Sequence, residues 1–265
     1  MHNSTKFLEL CNEADAAHQV RSVLYPLKPI GLGTPYMECP SSYIIRLAEA
    51  HSVRLKEIVK IALQANGAAI QDPSVKKLNG MGFNVANILK GLEMVTSRND
   101  LKLLGTLNWK GFIKNKNINK DHKTWCPNCF ESWKRIGYIL YEPLIWQISG
   151  IEFCYKHNTR LVSHCHSCKE SLEVCSDLER IGYCPKCSAY LGKYKINKEY
   201  RMTPVEKEKA DYVAESIVNA RNIAELKPER HDQAITLKQV TDIVDRNNSV
   251  AFRLFQESSS EYKFY

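Results

Sequence analysis

The first hundred residues carry apolar side chains at the spacing of amphipathic helices. Positions i, i+3, i+4 and i+7 lie on one face of an α-helix. That spacing is found at Leu55, Ile58, Val59 and Ala62, and again at Val85, Ile88, Leu89 and Leu92. We therefore predict one helix from about Arg54 to the Asn66-Gly67 turn, and a second with Asn84 as its N-cap.

A shorter helix is predicted before these two, over residues 42–50, with Ser41 as its cap after Pro40. Two helices that meet at His51-Ser52 and are followed by a third are typical of a helix-turn-helix-like unit. The alternative is an α-helical bundle with no role in DNA binding, because many all-α domains show the same pattern.

Two further stretches are placed by their composition. Residues 110–123 read KGFIKNKNINKDHK, which predicts an exposed connector. Its lysines are candidate phosphate contacts, with a solvated linker as the alternative; they are Lys110, Lys114, Lys116, Lys120 and Lys123. Near the C-terminus, Thr203-Pro204 predicts the start of a helix that runs to about Ala220, and a helical pair follows around residues 237–244 and 252–255.

The positive charge is concentrated on the N-terminal side of the chain. Residues 1–120 hold 16 Lys and Arg against 9 Asp and Glu, whereas residues 121–194 hold 9 against 8 and residues 195–265 hold 12 against 12. A bound polyanion is therefore expected on residues 1–120. Residues 1–19 lack the apolar run of a secretory signal, and no apolar run is long enough to span a membrane. We expect a cytoplasmic, prokaryotic protein with reduced thiols, associated with the nucleoid when it acts.

Between residues 126 and 187 seven of the eight cysteines and one histidine form four pairs, each of which places two metal ligands on one tight turn. The pairs are Cys126 with Cys129, Cys154 with His157, Cys165 with Cys168, and Cys184 with Cys187. Structural zinc takes four nitrogen or sulfur ligands tetrahedrally. Four pairs therefore predict two Zn²⁺ ions in closed, structural sites.

The spacing leaves three combinations of the pairs open: sequential, interleaved and nested. Sequential pairing leaves inner loops of 24 and 15 residues, and loop-closure entropy favours it by less than about 1 kcal/mol. Cys175 has no partner at i±3 and is predicted to be a small buried residue. His164 and His166 flank a turn whose two ligands are already assigned. We therefore predict that each histidine lies at the surface or contacts a metal ligand without binding the ion itself.

The same residues argue against an enzyme. A redox dithiol would need one Cys-x-x-Cys motif beside a βαβ pattern, which is missing here. Catalytic zinc keeps an open coordination position, whereas four pairs fill two complete ligand sets. Two Zn²⁺ and seven thiolates also change the charge of residues 121–194 from +1 to −2. The metal-binding module is therefore predicted to brace its neighbours or to bind protein, and not to bind phosphates.

The sequence resembles the TniQ family at two places. The run TPYMECPSSYIIRLAEAHSV is similar to the family's N-terminal signature at Pro35, Glu38, Ser42, Arg46, Leu47 and Ala48. The order WCPNCF, FCYKHNTRLVSHCHSC and YCPKC, with Trp133, Trp146 and Leu161, resembles its tandem zinc module. The resemblance covers residues 25–195, and it implies sequential pairing. Zinc 1 is then held by Cys126, Cys129, Cys154 and His157, and zinc 2 by Cys165, Cys168, Cys184 and Cys187.

The resemblance implies a non-enzymatic adaptor that selects target sites in Tn7-like, including CRISPR-associated, transposition. Such adaptors link DNA or a target-recognition complex to a TnsC-like AAA+ ATPase. A CRISPR effector complex with guide RNA and a homo-oligomer are further candidate partners, and no membrane partner is expected. A stand-alone zinc-containing transcriptional regulator is the alternative. The candidate contacts to DNA or partner are Arg46, Arg54, Lys56, Lys60, Lys114 and Lys116.

The predicted fold class is mainly α with a small zinc-binding α+β module. We divide the chain into an extension (1–34), a helix-turn-helix-like helical domain (35–120), a tandem two-zinc module (121–194) and a short helical C-terminal region (195–265). About 70 residues follow the zinc module, more than in the smallest adaptors of the family and fewer than in a TnsD-like reader of attachment sites.

Overall fold

A computed structural model describes residues 22–68, 75, 77–110, 118–177, 179–194 and 200–225. The described part contains seven α-helices: α1 (Pro40–His51), α2 (Leu55–Ala65), α3 (Phe83–Thr96), α4 (Pro127–Arg135), α5 (Leu144–Gln147), α6 (Pro204–Val218) and α7 (Ala220–Glu225). Short 3₁₀ helices span Leu101–Leu103, Leu107–Trp109 and Leu191–Lys193. Strand pairing in these residues is limited to isolated antiparallel bridges. The mainly helical fold class predicted from the sequence is confirmed.

Helices α1 to α3 form the helical core, and their apolar faces are buried as the spacing predicts. The turn between α1 and α2 passes through Ser52, which has a left-handed φ of 53°. The two predicted caps, Ser41 and Asn84, are each wrong by two residues. Pro40 opens α1 behind Cys39, because its fixed φ suits the first helical turn, and α3 begins behind Gly82.

Gly91 allows α2 and α3 to approach closely. A Cβ atom placed on Gly91 would lie 1.8 Å from the carbonyl oxygen of Ala62 in α2. Both residues lie in the middle of well-packed helices, and Ala62 is fully buried. Glycine at this position therefore sets the distance between the two helices, although it lowers the intrinsic stability of α3.

We expect Gly91→Ala to lower the free energy of unfolding by about 1–3 kcal/mol, because an added methyl group in a packed interface forces backbone shifts. Urea unfolding followed by circular dichroism measures the change. Lys90→Ala is the matched control, since Lys90 is the exposed neighbour on the same helix and its loss should change stability by less than about 0.5 kcal/mol. Equal stability of the two variants would contradict the close approach.

Backbone pairing joins the helical core to the cysteine-rich part. The Cys39 N–H donates to the Glu142 carbonyl oxygen (2.9 Å), and the Leu144 N–H donates to the Met37 carbonyl oxygen (2.7 Å). The buried side chains on both sides form one hydrophobic cluster. Contacts therefore cross the predicted boundary at residue 120, and the division into four domains stays a prediction.

The C-terminal helix begins where the sequence predicts. Thr203 caps α6 by accepting from the Glu206 N–H, and the Glu206 carboxylate accepts from the Thr203 N–H, which completes a capping box. The Tyr155 hydroxyl donates to Asp211 Oδ1 at 2.9 Å, so α6 packs on the cysteine-rich part. The helical pair predicted around residues 237–255 lies outside the described residues.

The connector is only partly exposed where the structure describes it. Lys110, Asp121 and His122 are exposed, whereas Lys120 is half-buried and Lys123 is buried. Lys120 Nζ donates to the carbonyl oxygens of Trp146 and Ile151 and to Thr124 Oγ1, and burial lowers the pKa of its ammonium to about 8. Lys123 is 1% exposed. The prediction that these two lysines contact phosphates is wrong, since their ammonium groups bind buried acceptors.

Candidate metal centres

The first ligand pair lies at the start of α4. Cys126 is the N-cap, Pro127 is the first helical residue, and Cys129 follows within the first turn. The Phe130 N–H donates to the Cys126 carbonyl oxygen at 3.2 Å, which turns both sulfur atoms to the same side. Trp125 pairs with Val162 through N–H···O bonds of 2.9 Å in both directions. This pairing brings the start of α4 beside the segment that carries the next ligands.

The other three pairs lie on three similar hairpin turns. In each turn the N–H of the residue after the second ligand donates to the carbonyl oxygen of the first cysteine, at 2.8–2.9 Å. That residue has a left-handed backbone with φ between 50° and 63°; the three are Asn158, Lys169 and Ser188. An antiparallel bridge closes each hairpin, at Phe153 with Arg160, His164 with Ser171, and Tyr183 with Tyr190. The sequence shows this repeat only in the cysteine spacing.

Centre 1 consists of Cys126, Cys129, Cys154 and His157, whose donor atoms all lie within 4.8 Å of one another. His157 Nδ1 lies 3.5 Å from Cys126 Sγ, 3.2 Å from Cys129 Sγ and 3.6 Å from Cys154 Sγ. The three cysteines are at most 1% exposed. The structure thus brings together the four residues predicted for the first ion.

Centre 2 consists of Cys165, Cys168, Cys184 and Cys187. The Sγ atoms of Cys165 and Cys187 lie 3.6 Å apart, and those of Cys168 and Cys184 lie 3.7 Å apart. Cys187 is exposed, and the Ala189 N–H is the main cause that lowers the pKa of its thiol to about 6. Centre 2 is therefore more open to solvent than centre 1.

Both centres have the dimensions of a tetrahedral zinc site. A Zn–S bond of about 2.3 Å places neighbouring tetrahedral sulfur ligands about 3.7–3.8 Å apart. The observed S···S distances of 3.6–3.7 Å agree, whereas a disulfide would require about 2.05 Å. The combination of pairs is the sequential one. Each group can therefore hold one metal ion, with a donor set that suits zinc.

The crowded donors of centre 1 are unfavourable without a cation. Hydrogen bonding with Cys126 and then Cys154 raises the pKa of the Cys129 thiol well above its ordinary value, while contacts with Cys129 and Cys154 lower that of Cys126. Metal binding needs all three cysteines as thiolates. A divalent cation would supply the positive charge that lets these thiolates lie side by side.

The three remaining candidate ligands, Cys175, His164 and His166, lie outside both centres. Cys175 is 1% exposed, and burial raises the pKa of its thiol well above the ordinary value, so it is the small buried residue that was predicted. His164 is exposed at the surface, where its Nδ1 lies 2.9 Å from Ser163 Oγ. Neither His164 nor His166 belongs to a four-donor group in the described residues.

Arg46, a predicted contact to DNA or partner, lies in a buried ion pair. Its Nε and Nη2 atoms each donate to a Glu38 carboxylate oxygen at 2.7 Å. Glu38 is fully buried, and Ser42 Oγ donates to its Oε1 at 2.7 Å. The Ser42 hydroxyl in turn accepts from the Glu142 N–H at 3.0 Å. Three residues of the N-terminal signature therefore form one network, and we leave Arg46 out of the contact surface.

The other predicted contacts lie on or beside α2. Arg54 is 66% exposed on its side chain and lies 3.8 Å from Asp177 Oδ2. Lys60 pairs with Glu57 at 2.9 Å, and Lys56 is half-buried. Lys114 and Lys116 lie outside the described residues. The positions of these residues do not test whether they contact DNA, so their role stays a prediction.

Asp177 caps the N-terminus of α2, a contact that no local sequence pattern predicts. The Asp177 Oδ1 atom accepts from the Lys56 N–H at 3.1 Å, and its carbonyl oxygen accepts from the Leu55 N–H at 3.4 Å. A carboxylate is favourable at this positive end of a helix. The N-terminus of α2, the end at which a recognition helix reads base edges in helix-turn-helix proteins, is therefore covered by the segment of centre 2.

A buried cluster of three charged side chains was also not predicted from the sequence. Lys123 Nζ lies 2.7 Å from Glu142 Oε1 and also contacts Glu179, and all three side chains are at most 3% exposed. Burial alone would lower the pKa of Lys123, but the two carboxylates more than offset it and raise the pKa. Burial raises the pKa of Glu142 to about 7. The cluster therefore joins the segment before α4, which carries Lys123, to the segment after α4, which carries Glu142, and to the segment of centre 2, which carries Glu179.

Comparison with protein families agrees with this arrangement. A family model described as TniQ matches residues 29–161, which is half of the 265-residue chain. The chain belongs to the TniQ family. The TniQ match contains the Glu38, Ser42 and Arg46 network and all of centre 1, whereas centre 2 lies beyond it. Membership implies a role in target selection during Tn7-like transposition, with protein partners and DNA.

A search of curated proteins finds no match to this TniQ chain. Among the described residues, no helix is both long and apolar enough to cross a membrane.

Proposed function

We propose that this protein is a non-enzymatic adaptor that joins DNA or a target-recognition complex to a TnsC-like AAA+ ATPase. The match to the TniQ family over residues 29–161 carries the proposal. A CRISPR effector complex with guide RNA is one candidate for the target-recognition side. In this account two structural Zn²⁺ ions occupy the two centres and hold the helical core and the hairpins in one fixed arrangement.

The chemistry of the centres supports a structural role. Each group offers four protein donors to one ion, which completes the tetrahedral coordination that structural zinc adopts. Catalytic zinc keeps a position for water or substrate. In this protein the cysteines and His157 would hold the ions. The bound ions would cross-link the start of α4 to one hairpin at centre 1, and two hairpins to each other at centre 2.

The proposal is tested by reconstituting the purified protein with a TnsC-like AAA+ ATPase, with and without DNA and nucleotide. We expect the two proteins to bind each other and DNA to strengthen the complex. A stand-alone regulator would instead bind one DNA site at least about 10³-fold more tightly than other DNA, without the ATPase. Failure to bind the ATPase under every condition would refute the adaptor function.

DNA binding by the adaptor alone is expected to be weak and sensitive to salt, with Arg54 and Lys60 as contacts. Their ion pairs with Asp177 and Glu57 lie at the surface, and such pairs are weak enough to open for a phosphate. Replacing both by alanine should reduce the slope of log K against log salt by about 2. Fluorescence anisotropy with a labelled duplex measures the slope.

The matched control is Lys207→Ala with Lys209→Ala. Both lysines are exposed on α6, and Lys207 also pairs with a carboxylate, that of Asp211. These substitutions remove the same charge from another face and should leave the slope within about 0.5 of the wild type. An equal reduction in both double variants would mean that net charge alone, and no particular face, binds DNA.

A further inference from the structure

A groove of about 440 Å³ lies where the helical core meets the segments of both metal centres. Its walls come from Leu27 and the end of α1, from the segment that follows α4, and from residues 180–183 beside centre 2. Centre 1 positions α4 through Cys126 and Cys129, and centre 2 positions the third wall through Cys184. The shape of the groove therefore depends on both centres.

The segment after α4 exposes three large apolar side chains in four residues. Ile136, Tyr138 and Ile139 are 60%, 50% and 57% exposed. Single exposed apolar residues are ordinary, but a contiguous apolar patch marks an interaction site. Tyr138 and Ile139 line the groove itself. The patch and the groove thus form one continuous surface.

The backbone holds this segment in a defined shape. Gly137 has a left-handed φ of 69°, and the Tyr138 N–H donates to the Trp133 carbonyl oxygen at 2.8 Å. This is the Schellman arrangement, which ends a helix with a fixed turn. A preformed surface loses little conformational entropy when it binds a partner.

The charges of the groove favour an acidic occupant. Arg46 is neutralised by Glu38 at 2.7 Å, and Arg180 lies 3.4 Å from Glu49. Lys134 lies 3.9 Å from the centre of the Tyr190 ring. In the part of the chain that the structure describes, neither Lys134 nor its neighbour Arg135 has a carboxylate partner. Lys134, which lines the groove, and Arg135, which directly precedes Ile136 in the chain, thus have no counter-charge in this part of the chain.

The same walls favour a protein over a nucleic acid. Sites for single strands stack bases on aromatic rings along a cationic groove. Here Tyr138 lies between aliphatic neighbours, Ile136 and Ile139, and Leu27, Leu140 and Ile181 also line the wall. Aliphatic side chains with a cationic border suit a peptide that carries both apolar and acidic residues.

We propose that this groove binds a peptide segment of the partner ATPase that inserts an apolar side chain beside Tyr138 and Ile139. Acidic residues that flank the inserted side chain face Lys134 and Arg135. The inference rests on the proposed adaptor function, which requires a protein-binding face, and adds to it the surface and the chemistry of the segment.

The test measures binding of the full-length protein to the purified ATPase on DNA. We expect Ile139→Asp to weaken binding at least tenfold, because it places a carboxylate in the apolar contact, and Lys134→Glu to weaken it several-fold. Val205→Asp is the matched control, since Val205 is 61% exposed on α6, and it should leave binding within twofold of the wild type. Zinc content and circular dichroism should be equal in all three variants.

The outcomes separate the two proposals. If the wild type binds the ATPase and Ile139→Asp binds equally well, the groove proposal is overturned and the adaptor function stands. If the wild type itself fails to bind, the adaptor function is refuted.

Where the wild type binds, a photo-crosslinking residue at position 139 identifies the occupant of the groove by mass spectrometry. Crosslinks to an acidic, apolar segment of the ATPase support the groove proposal, and crosslinks to DNA, to this chain or to a second copy overturn it.

Discussion

We expect Cys129→Ser to release the metal ion of centre 1 and to abolish cooperative unfolding of the protein. Cys129 is 1% exposed and lies on α4 beside Phe130, which is fully buried. Zinc contributes about 10–16 kcal/mol to the folding of small zinc domains, which is as large as the whole stability of a typical domain, about 5–15 kcal/mol. Urea unfolding followed by tryptophan fluorescence measures the loss, because Trp133 and Trp146 stack 5.8 Å apart in this core.

Two other variants show whether the effect comes from the ion. Cys175→Ala removes a buried thiol that lies outside both centres and should keep two ions per chain and cooperative unfolding. Cys187→Ser should lose the second ion with a smaller effect on the tryptophan signal, because Cys187 is exposed. A sharp, unshifted transition in Cys129→Ser would show that centre 1 does not hold the fold together.

The second large effect is expected from Arg46→Met, which should destabilise the protein by about 3–5 kcal/mol. This substitution leaves the Glu38 carboxylate buried without its cation, and an unpaired buried charge is strongly unfavourable. Arg46→Lys should also destabilise, because an ammonium cannot make the two parallel bonds that the guanidinium makes at 2.7 Å. Urea unfolding gives the free energies.

A double variant and an exposed control complete this test. Glu38→Gln with Arg46→Met removes both charges and should recover much of the stability, since a buried pair contributes little in total. Arg54→Met breaks an exposed ion pair with Asp177 and should change stability by less than about 1 kcal/mol. A small effect of Arg46→Met, equal to that of Arg54→Met, would return Arg46 to the candidate contacts for DNA.

The metal ligands could be predicted from the sequence because their signal is local. Each pair lies within one turn, so the spacing fixes the turn, and only the combination of pairs needs the fold. The faces of α2 and α3 are likewise set by apolar residues three and four positions apart. The caps of α1 and α3 were predicted wrongly, because serine, asparagine, proline and glycine are all common at a helix start.

The residues that join the parts could not be predicted in this way. Arg46 and Lys123 are charged, and such residues are almost never buried unless they are paired. Two contacts that join distant segments become apparent only in the fold. Glu179 lies 56 positions from Lys123, and Asp177 lies 121 positions from Lys56, whose N–H donates to it. Arg46 is therefore not part of a free basic surface, because its charge is paired with Glu38 inside the core.

In the proposed adaptor, two metal ions hold the helical core and the hairpins together as one unit. Native mass spectrometry of the purified full-length protein, after gel filtration in metal-free buffer, tests it most directly. We predict two zinc ions on each chain, one lost more readily to a chelator because centre 2 is open to solvent. One ion or none on a folded chain would contradict the claim.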